Sequence, residues 1–146
     1  MVTGLKIATG LEGTHTKPSF TFIRIIMVLK IKIGTLNVKG LNNMKKAHRT
    51  LTLLKSYHLD IIMLQETNLE NLNTRNFLQQ QWGYSSYWTS KTAILIGNSN
   101  ISLTKTQNSH NGRVTIAELI YKKLPFKLTN VYAPPNIEDR TSFFNN

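Results

Sequence analysis

The sequence contains no cysteine, which excludes disulfides, zinc–thiolate sites and thiol nucleophiles and fits an intracellular setting. Acids are scarce as well. Seven Asp and Glu stand against eighteen Lys and Arg in 146 residues, for a formal charge of +11 and a pI near 10.1. Long apolar runs are missing: the longest, residues 25–29, is bracketed by Arg24 and Lys30 and falls far short of the roughly 20 residues a membrane span needs. The basic start is followed by no uninterrupted apolar stretch with a small-residue cleavage site, so no secretory signal is read. No repeat at solenoid periods and no heptad pattern is present.

What remains is one domain's worth of chain with 40% hydrophobic residues, enough for a core. The positive charge points to polyanions, nucleic acid first and an anionic membrane surface second. A basic composition without functional meaning is the bland alternative. Residues 1–29 read as a leader, disordered or extraneous, with Pro18 in its Gly-, Thr- and Lys-rich part. Within it, 20–29 is either an extra strand or upstream sequence read through in frame.

From Lys30 the pattern becomes regular. Ile31, Ile33 and Leu36 predict a strand ending at Asn37, and a turn follows at 39–43. Met44, Ala47, Leu51, Leu54 and Tyr57 recur at helical spacing, with Lys45, Lys46, Arg49 and Lys55 between them and Asn43 as N-cap. Residues 60–65 form a short apolar run, the mark of a strand buried on both faces. Strand, helix and strand in this length predict a βαβ unit with parallel strands.

A short helix is expected over 69–81, carrying Leu72, Phe77 and Leu78. Four strands then follow at 92–96, 101–106, 113–121 and 126–132, separated by turn-type linkers and expected to pair as successive antiparallel hairpins. Asn136 caps a last helix whose first turn carries Glu138 and Asp139, with Phe143 and Phe144 facing the core. The fold class is α/β, in the form of a mixed sheet with helices on one face. Strand 113–121 is apolar on both sides, with Val114, Ile116 and Ile120 on one and Ala117, Leu119 and Tyr121 on the other. It calls for partners on both faces.

Three polar residues close strands: Asn37, Glu66 and Tyr132. The carboxyl ends of parallel strands form the crevice where open α/β sheets bind ligands. A carboxylate at the tip of a buried strand costs several kcal/mol to keep charged unless a cation or donors compensate it. Glu66 and Asn37 side by side would offer a hard cation the oxygen ligands it prefers. Each also has a plainer reading: Asn37 as a turn former before Gly40, Glu66 as a loop or capping carboxylate, and Tyr132 as a packing residue. His15, His48, His58 and His110 read as surface or structural residues.

Several blocks occur together in one order: Thr35-Leu36-Asn37-Val38-Lys39-Gly40-Leu41; Asp60-Ile61-Ile62-Met63-Leu64-Gln65-Glu66-Thr67; Thr92-Ala93-Ile94-Leu95-Ile96; Gly112-Arg113; Asn130-Val131-Tyr132-Ala133-Pro134; and Arg140 with Phe143-Phe144. Over residues 31–146 this order resembles the endonuclease/exonuclease/phosphatase superfamily with its DNase I-like fold. It is most similar to the apurinic-endonuclease-type domain of non-LTR retrotransposons. The resemblance implies a four-layer α/β sandwich, of which residues 30–146 would be the amino-terminal half, stopping before the second sheet is complete.

The resemblance also implies Mg²⁺- or Mn²⁺-dependent hydrolysis of a DNA phosphodiester. Glu66 would be the metal ligand, Asn37 its support, and Tyr132 the residue that contacts or orients the scissile phosphate. The implied partner is DNA, or RNA, without a membrane, alongside a reverse transcriptase in the parent element and with the nucleus as the place of action. Arg113, Lys45 and Lys46 are the expected nucleic-acid contacts, Arg113 as strand-start geometry before phosphate contact. The family pattern continues with Gly-Asp-Phe-Asn-like and Ser-Asp-His-like segments that this sequence does not contain, so weak or absent activity is expected. Ser90-Lys91 also departs from the small pair usual before the 92–96 strand. Two alternatives stay open: a non-catalytic basic nucleic-acid-binding module, and a gene fragment without function.

Overall fold

The computed structural model describes residues 5–8, 23–24 and 30–145. Two short pieces of the expected leader take strand positions, β1 (Leu5–Ala8) and β2 (Ile23–Arg24). The rest of that leader, and most of the 20–29 run, lies outside the described residues. Strand β3 (Lys32–Asn37), helix α1 (Met44–Ser56) and strand β4 (Ile61–Gln65) form the expected βαβ unit, with β3 and β4 parallel and Asn37 in register with Gln65. Then come α2 (Leu72–Trp82), β5 (Ser86–Trp88), β6 (Thr92–Ile96), β7 (Ile101–Ser109), β8 (Val114–Tyr121), β9 (Leu124–Val131) and α3 (Ile137–Asn145).

These strands build two sheets rather than one. The five-stranded sheet runs β2-β3-β4-β6-β5 and the four-stranded sheet β1-β9-β8-β7. Strand β6 therefore does not begin a hairpin series with β7. It pairs antiparallel with β4 on one side and with the short, unanticipated β5 on the other. The reason lies in its side chains. All five β6 residues are buried, as are all five of β4, so both strands need cover on two faces.

Strand alternation divides that cover. Ile62, Leu64, Ala93 and Leu95 meet Ala47, Leu51 and Leu54 of α1 and Leu78 and Trp82 of α2, whereas Ile33, Ile61, Met63, Ile94 and Ile96 meet Ile101, Ala117, Leu119 and Leu128 of the second sheet. Each such aliphatic side chain taken out of water contributes about 1.5–3 kcal/mol before the entropy of ordering is subtracted.

Local chemistry sets the helix ends. Asn43 Oδ1 accepts the Lys46 N–H, and Asn71 Oδ1 accepts those of Asn73 and Thr74, satisfying donors that a first turn leaves open. Gly83 ends α2 in the left-handed region at φ +81°, where a residue without Cβ is unstrained. The apolar stripes are narrower than their spacing suggested: Met44, Tyr57, Leu72 and Phe77 are exposed. Helix α3 buries none of its residues, Phe144 included, and Phe143 packs against the His110 ring at 4.8 Å instead of entering the core.

Strand β8 turns Thr115, Ala117 and Leu119 inward against the first sheet, and leaves Val114 and Ile116 half-buried and Ile120 exposed on the other face. Close backbone approach is required at Gly97, where a Cβ would collide with the Leu59 carbonyl oxygen, and at Gly34, where it would meet only the Leu59 side chain. Gly97→Ala should therefore cost about 1–3 kcal/mol by urea denaturation and Gly34→Ala less, since a side chain can move aside and a backbone carbonyl cannot.

Candidate metal and phosphate site

At the carboxyl end of β3 and β4 the two chains leave the sheet side by side. Val38, Gly40 and Leu41 donate backbone hydrogen bonds to the carbonyls of Gln65, Glu66 and Thr67, at 3.0, 2.7 and 2.9 Å. Neighbouring tips are thus held together beyond the last ladder pair, and the Asn37 and Glu66 backbones end up on adjacent strands. Asn37 is exposed, and its Oδ1 accepts the Lys39 N–H at 3.0 Å, so its turn-forming role is real. One oxygen lone pair can still face a cation.

Glu66 is half-buried, and its side-chain carboxylate has no hydrogen bond or ion pair among the described residues. Its backbone is left-handed, φ +57°, and so are Lys39 at +49° and Asn68 at +52°. For a residue with a full side chain this conformation costs about 1–2 kcal/mol. It also breaks the strand alternation, so Glu66 does not share the face of Ile62 and Leu64 as a straight strand would dictate.

The other described acids are engaged elsewhere or sit on α3. Asp60, at the opposite end of β4, accepts the Lys32 N–H and the Asn98 amide; Glu118 pairs with Lys127 at 3.1 Å. Glu70 pairs with Lys91 at 2.7 Å, and the hydrogen bond from that ammonium, with its charge, holds the Glu70 carboxyl below its ordinary pKa. Glu138 and Asp139 lie exposed in the first turn of α3. Among the described residues no three His, Asp or Glu cluster as a complete metal cage. Glu66 and Asn37 are oxygen donors of the type a cation such as Mg²⁺ accepts, since it takes one or two protein oxygens and keeps several waters.

Tyr132 and Arg113 form a wall at one end of the four-stranded sheet, just after β9 and just before β8. The Tyr132 N–H donates to the Arg113 carbonyl at 2.8 Å, and the Arg113 guanidinium lies over the Tyr132 ring, 4.9 Å from its centroid. Its Nη1 also reaches the Tyr132 carbonyl at 3.5 Å. Arg113 is thus both a strand-start residue and a cation stacked beside the tyrosine. Lys46 Nζ donates to the Lys39 carbonyl at 2.8 Å and ties α1 to the loop after β3, while Lys45 is exposed with no bond or ion pair among the described residues. The described histidines, His48, His58 and His110, are exposed; the His110 Nδ1 bonds Ser109 Oγ at 2.9 Å.

Beneath the tips lies a buried polar layer that the motif reading passed over. Gln65 exchanges hydrogen bonds with Thr35 Oγ1 and donates to Asn130 Oδ1 at 2.7 Å. Asn130 Nδ2 donates to the carbonyls of Leu64 and Ala93, both at 2.9 Å. Beside this pair, Thr92 Oγ1 lies 2.6 Å from Thr115 Oγ1, and Thr89 and Thr92 both donate to the carbonyl of Gly112. Gly112 is left-handed at φ +80°, and a Cβ there would come within 2.9 Å of the Thr89 side chain. The available signal was polarity inside an apolar run: Gln65 and Asn130 sit where burial tolerates only hydrogen-bonded polar groups.

Asn130→Ala strands three partners of that network and should cost about 2–4 kcal/mol by urea denaturation, against which Asn130→Asp tests whether shape alone suffices. Glu66→Gly, by relieving the left-handed strain, should leave the unfolding midpoint unchanged or raise stability by up to about 1 kcal/mol, unlike substitutions at ordinary strand positions.

The sequence profile of the Endonuclease/Exonuclease/phosphatase family matches residues 34–140. No curated protein sequence matches the chain. Among solved structures, humanized D. rerio TDP2 superposes with a TM-score of 0.62 at 19% identity, over 79% of this chain and 56% of that one. TDP2 from Caenorhabditis elegans gives 0.58 at 23% identity, over 79% and 39%. The human Nocturnin catalytic domain, solved with a bound sulfate anion, gives 0.52 at 16% identity, over 84% and 56%. At these identities the likeness shows the fold, a DNase I-like mixed α/β arrangement. The chain spans 39–56% of the length of these structures.

Proposed function

Since the chain belongs to the endonuclease/exonuclease/phosphatase family, we propose that its β3 and β4 tips form the metal-binding side of a phosphodiesterase site acting on nucleic acid. The observation that carries this reading is Glu66: a half-buried carboxylate without a partner among the described residues, held at φ +57° on the strand tip next to that of Asn37. The family generally uses divalent metal ions. A bound Mg²⁺ or Mn²⁺ supplies neutralisation of charge on the phosphate oxygens and the leaving group.

The chain's own residues do the rest that is available. Glu66 and Asn37 hold the cation's protein side. The Tyr132 hydroxyl orients a phosphate oxygen, and Arg113, anchored on the Tyr132 ring, offsets negative charge at the same wall. Of the described histidines, His110 meets this wall through its backbone, its carbonyl accepting the Arg113 N–H at 3.1 Å, while its ring bonds Ser109 and packs on Phe143; no residue assigned here takes the role of a general base. A missing general base typically costs 10²–10⁴ in rate, which makes weak turnover the expectation.

Charge of +11 favours DNA or RNA over a small or lipid phosphoester. The ordered blocks from Thr35 to Pro134, with Gly112-Arg113 among them, favour the apurinic-endonuclease type of non-LTR retrotransposons. In that branch the partner is DNA, a reverse transcriptase acts alongside, and the nucleus is the place of action. The second reading, a non-catalytic basic module, draws on Lys45 and Arg49, both exposed on α1. It predicts salt-sensitive binding without cation dependence.

Glu66→Gln should lower Mn²⁺ affinity at least about tenfold by water-proton relaxation and remove any Mg²⁺-dependent nicking of supercoiled plasmid above background. Equal Mn²⁺ affinity in both proteins would defeat the metal assignment and leave the binding module.

A further inference from the structure

A second polar cavity opens beside the segment that follows Glu66. Thr67 and Leu69 donate backbone hydrogen bonds to the carbonyls of Lys91 and Ser90, at 3.1 and 2.8 Å, which lays residues 67–69 alongside the β5–β6 loop. Between that loop, the first turn of α2 and the β7–β8 turn lies a pocket of about 580 Å³ lined by Glu70, Arg75, Tyr87, Lys91, Asn108 and Asn111, among others. Its character differs from the Glu66 tip: its lining sets two cations, Arg75 and Lys91, against the Glu70 carboxylate.

Three features define what it takes. Arg75 Nε is buried and has no hydrogen-bond partner, and its Nη2 makes only a long 3.4 Å bond to the Glu70 carbonyl. Leaving a buried donor unpaired is costly, more so on a charged group. The Tyr87 hydroxyl accepts from Asn108 Nδ2 at 2.7 Å, so its own proton remains available to donate. The Lys91 ammonium rests on Glu70 and, at 3.4 Å, on Asn68 Oδ1. Arg75 and Lys91 against Glu70 leave the pocket one positive charge in excess. Planar, charged and phenolic donors around a single cavity suit a tetrahedral oxyanion, and an arginine fork suits it better than a carboxylate-poor surface would explain otherwise.

We infer that the Arg75–Lys91 pocket is a phosphate subsite that holds a neighbouring phosphate of the same polynucleotide strand whose scissile phosphate lies at Glu66. The assignment to a strand rests on the function proposed above; the donor set itself does not. The contiguity of residues 66–70 supports it, since one short segment carries the Glu66 carboxylate, unpaired among the described residues, at one end and the pocket's Glu70 at the other. Binding would give the loosely bonded Arg75 guanidinium an acceptor and would position the strand without contacting the reacting bond.

The test uses the full chain without divalent metal. A single-stranded DNA tetranucleotide is titrated in one arm and inorganic phosphate in the other, reading Arg75 Nε–H and the two tryptophan indole N–H signals by NMR. Trp88 lines the pocket, and Trp82, bonded to the Ile96 carbonyl under α2, serves as the internal control. With DNA, the Arg75 and Trp88 signals should move and the Trp82 signal should not. Arg75→Gln should weaken DNA binding about tenfold and reduce the slope of log affinity against log salt by about 0.7, the value for one single-strand phosphate contact. Arg75→Lys, which keeps the charge, should restore the slope.

An unchanged slope in Arg75→Gln, or an Arg75 signal that stays put at saturating DNA, would overturn the subsite. Equal affinity for inorganic phosphate and DNA would overturn the strand assignment. Glu66→Gln separates this inference from the one it rests on. Loss of the Arg75 response there too would tie both to a folding defect and overturn the independence of the two sites. Failure of Glu66 to affect Mn²⁺ affinity, with the Arg75 effects intact, would sink the metal reading alone.

Discussion

The hydrogen bond from Gln65 to Asn130, 2.7 Å long and wholly buried, is the interaction on which the site depends. It crosses from the five-stranded to the four-stranded sheet at the level where the apolar inter-sheet core ends. Below it, Ile61, Met63, Ile94 and Leu128 pack without polar partners. Above it stand the tips that carry Asn37, Glu66, Arg113 and Tyr132. Apolar packing tolerates sliding between sheets, because dispersion has no direction. A satisfied amide pair has both direction and length, so it sets the height and rotation of one sheet against the other.

That constraint explains why the tips can carry strain. Asn130 also binds the carbonyls of Leu64 and Ala93, fixing β4 and β6 just before β4 ends. The backbone beyond is then free to turn left-handed at Glu66, with Gly40 bonded to the Glu66 carbonyl at 2.7 Å. Thr92, Thr115 and Thr89 repeat the device one strand over and seat Gly112, from which Arg113 emerges to stack on Tyr132. The site is thus two pieces of irregular backbone, each standing on its own patch of buried hydrogen bonds. Neither piece could be rigid if those patches were apolar.

Much of this was legible along the chain, for a stated reason in each case. The βαβ unit showed because α1 has a stripe, Ala47, Leu51 and Leu54, at helical spacing and an Asn43 cap, both local properties. Asn37, Glu66 and Tyr132 stood out because polar residues ending apolar runs are placed by the run itself. The division into two sheets was implied by the family resemblance, but the local pattern did not show which strands go to which sheet. The Gly97-Asn98-Ser99-Asn100 linker has hairpin chemistry, yet it carries the chain from one sheet to the other, because β6 is apolar on both faces and β7 is not. Three-residue β5 has too few residues for any pattern. The exposed Met44, Tyr57 and Phe144 show the converse error, since apolar identity does not guarantee a surface to pack against.

The sequence by itself determined most of the elements from Lys30 on, the Asn43 cap, the basic charge and the order of blocks that places the chain in its family. These depend on neighbours a few residues apart. Tertiary structure alone decided that Gln65 reaches Asn130 across 65 positions. It also decided that Glu66 turns left-handed at the strand tip and that half-buried Arg75 lines one pocket with Lys91, its buried Nε without an acceptor. Those outcomes rest on which buried donors meet which acceptors once the sheets face each other, and no local pattern encodes a partner that arrives only through packing.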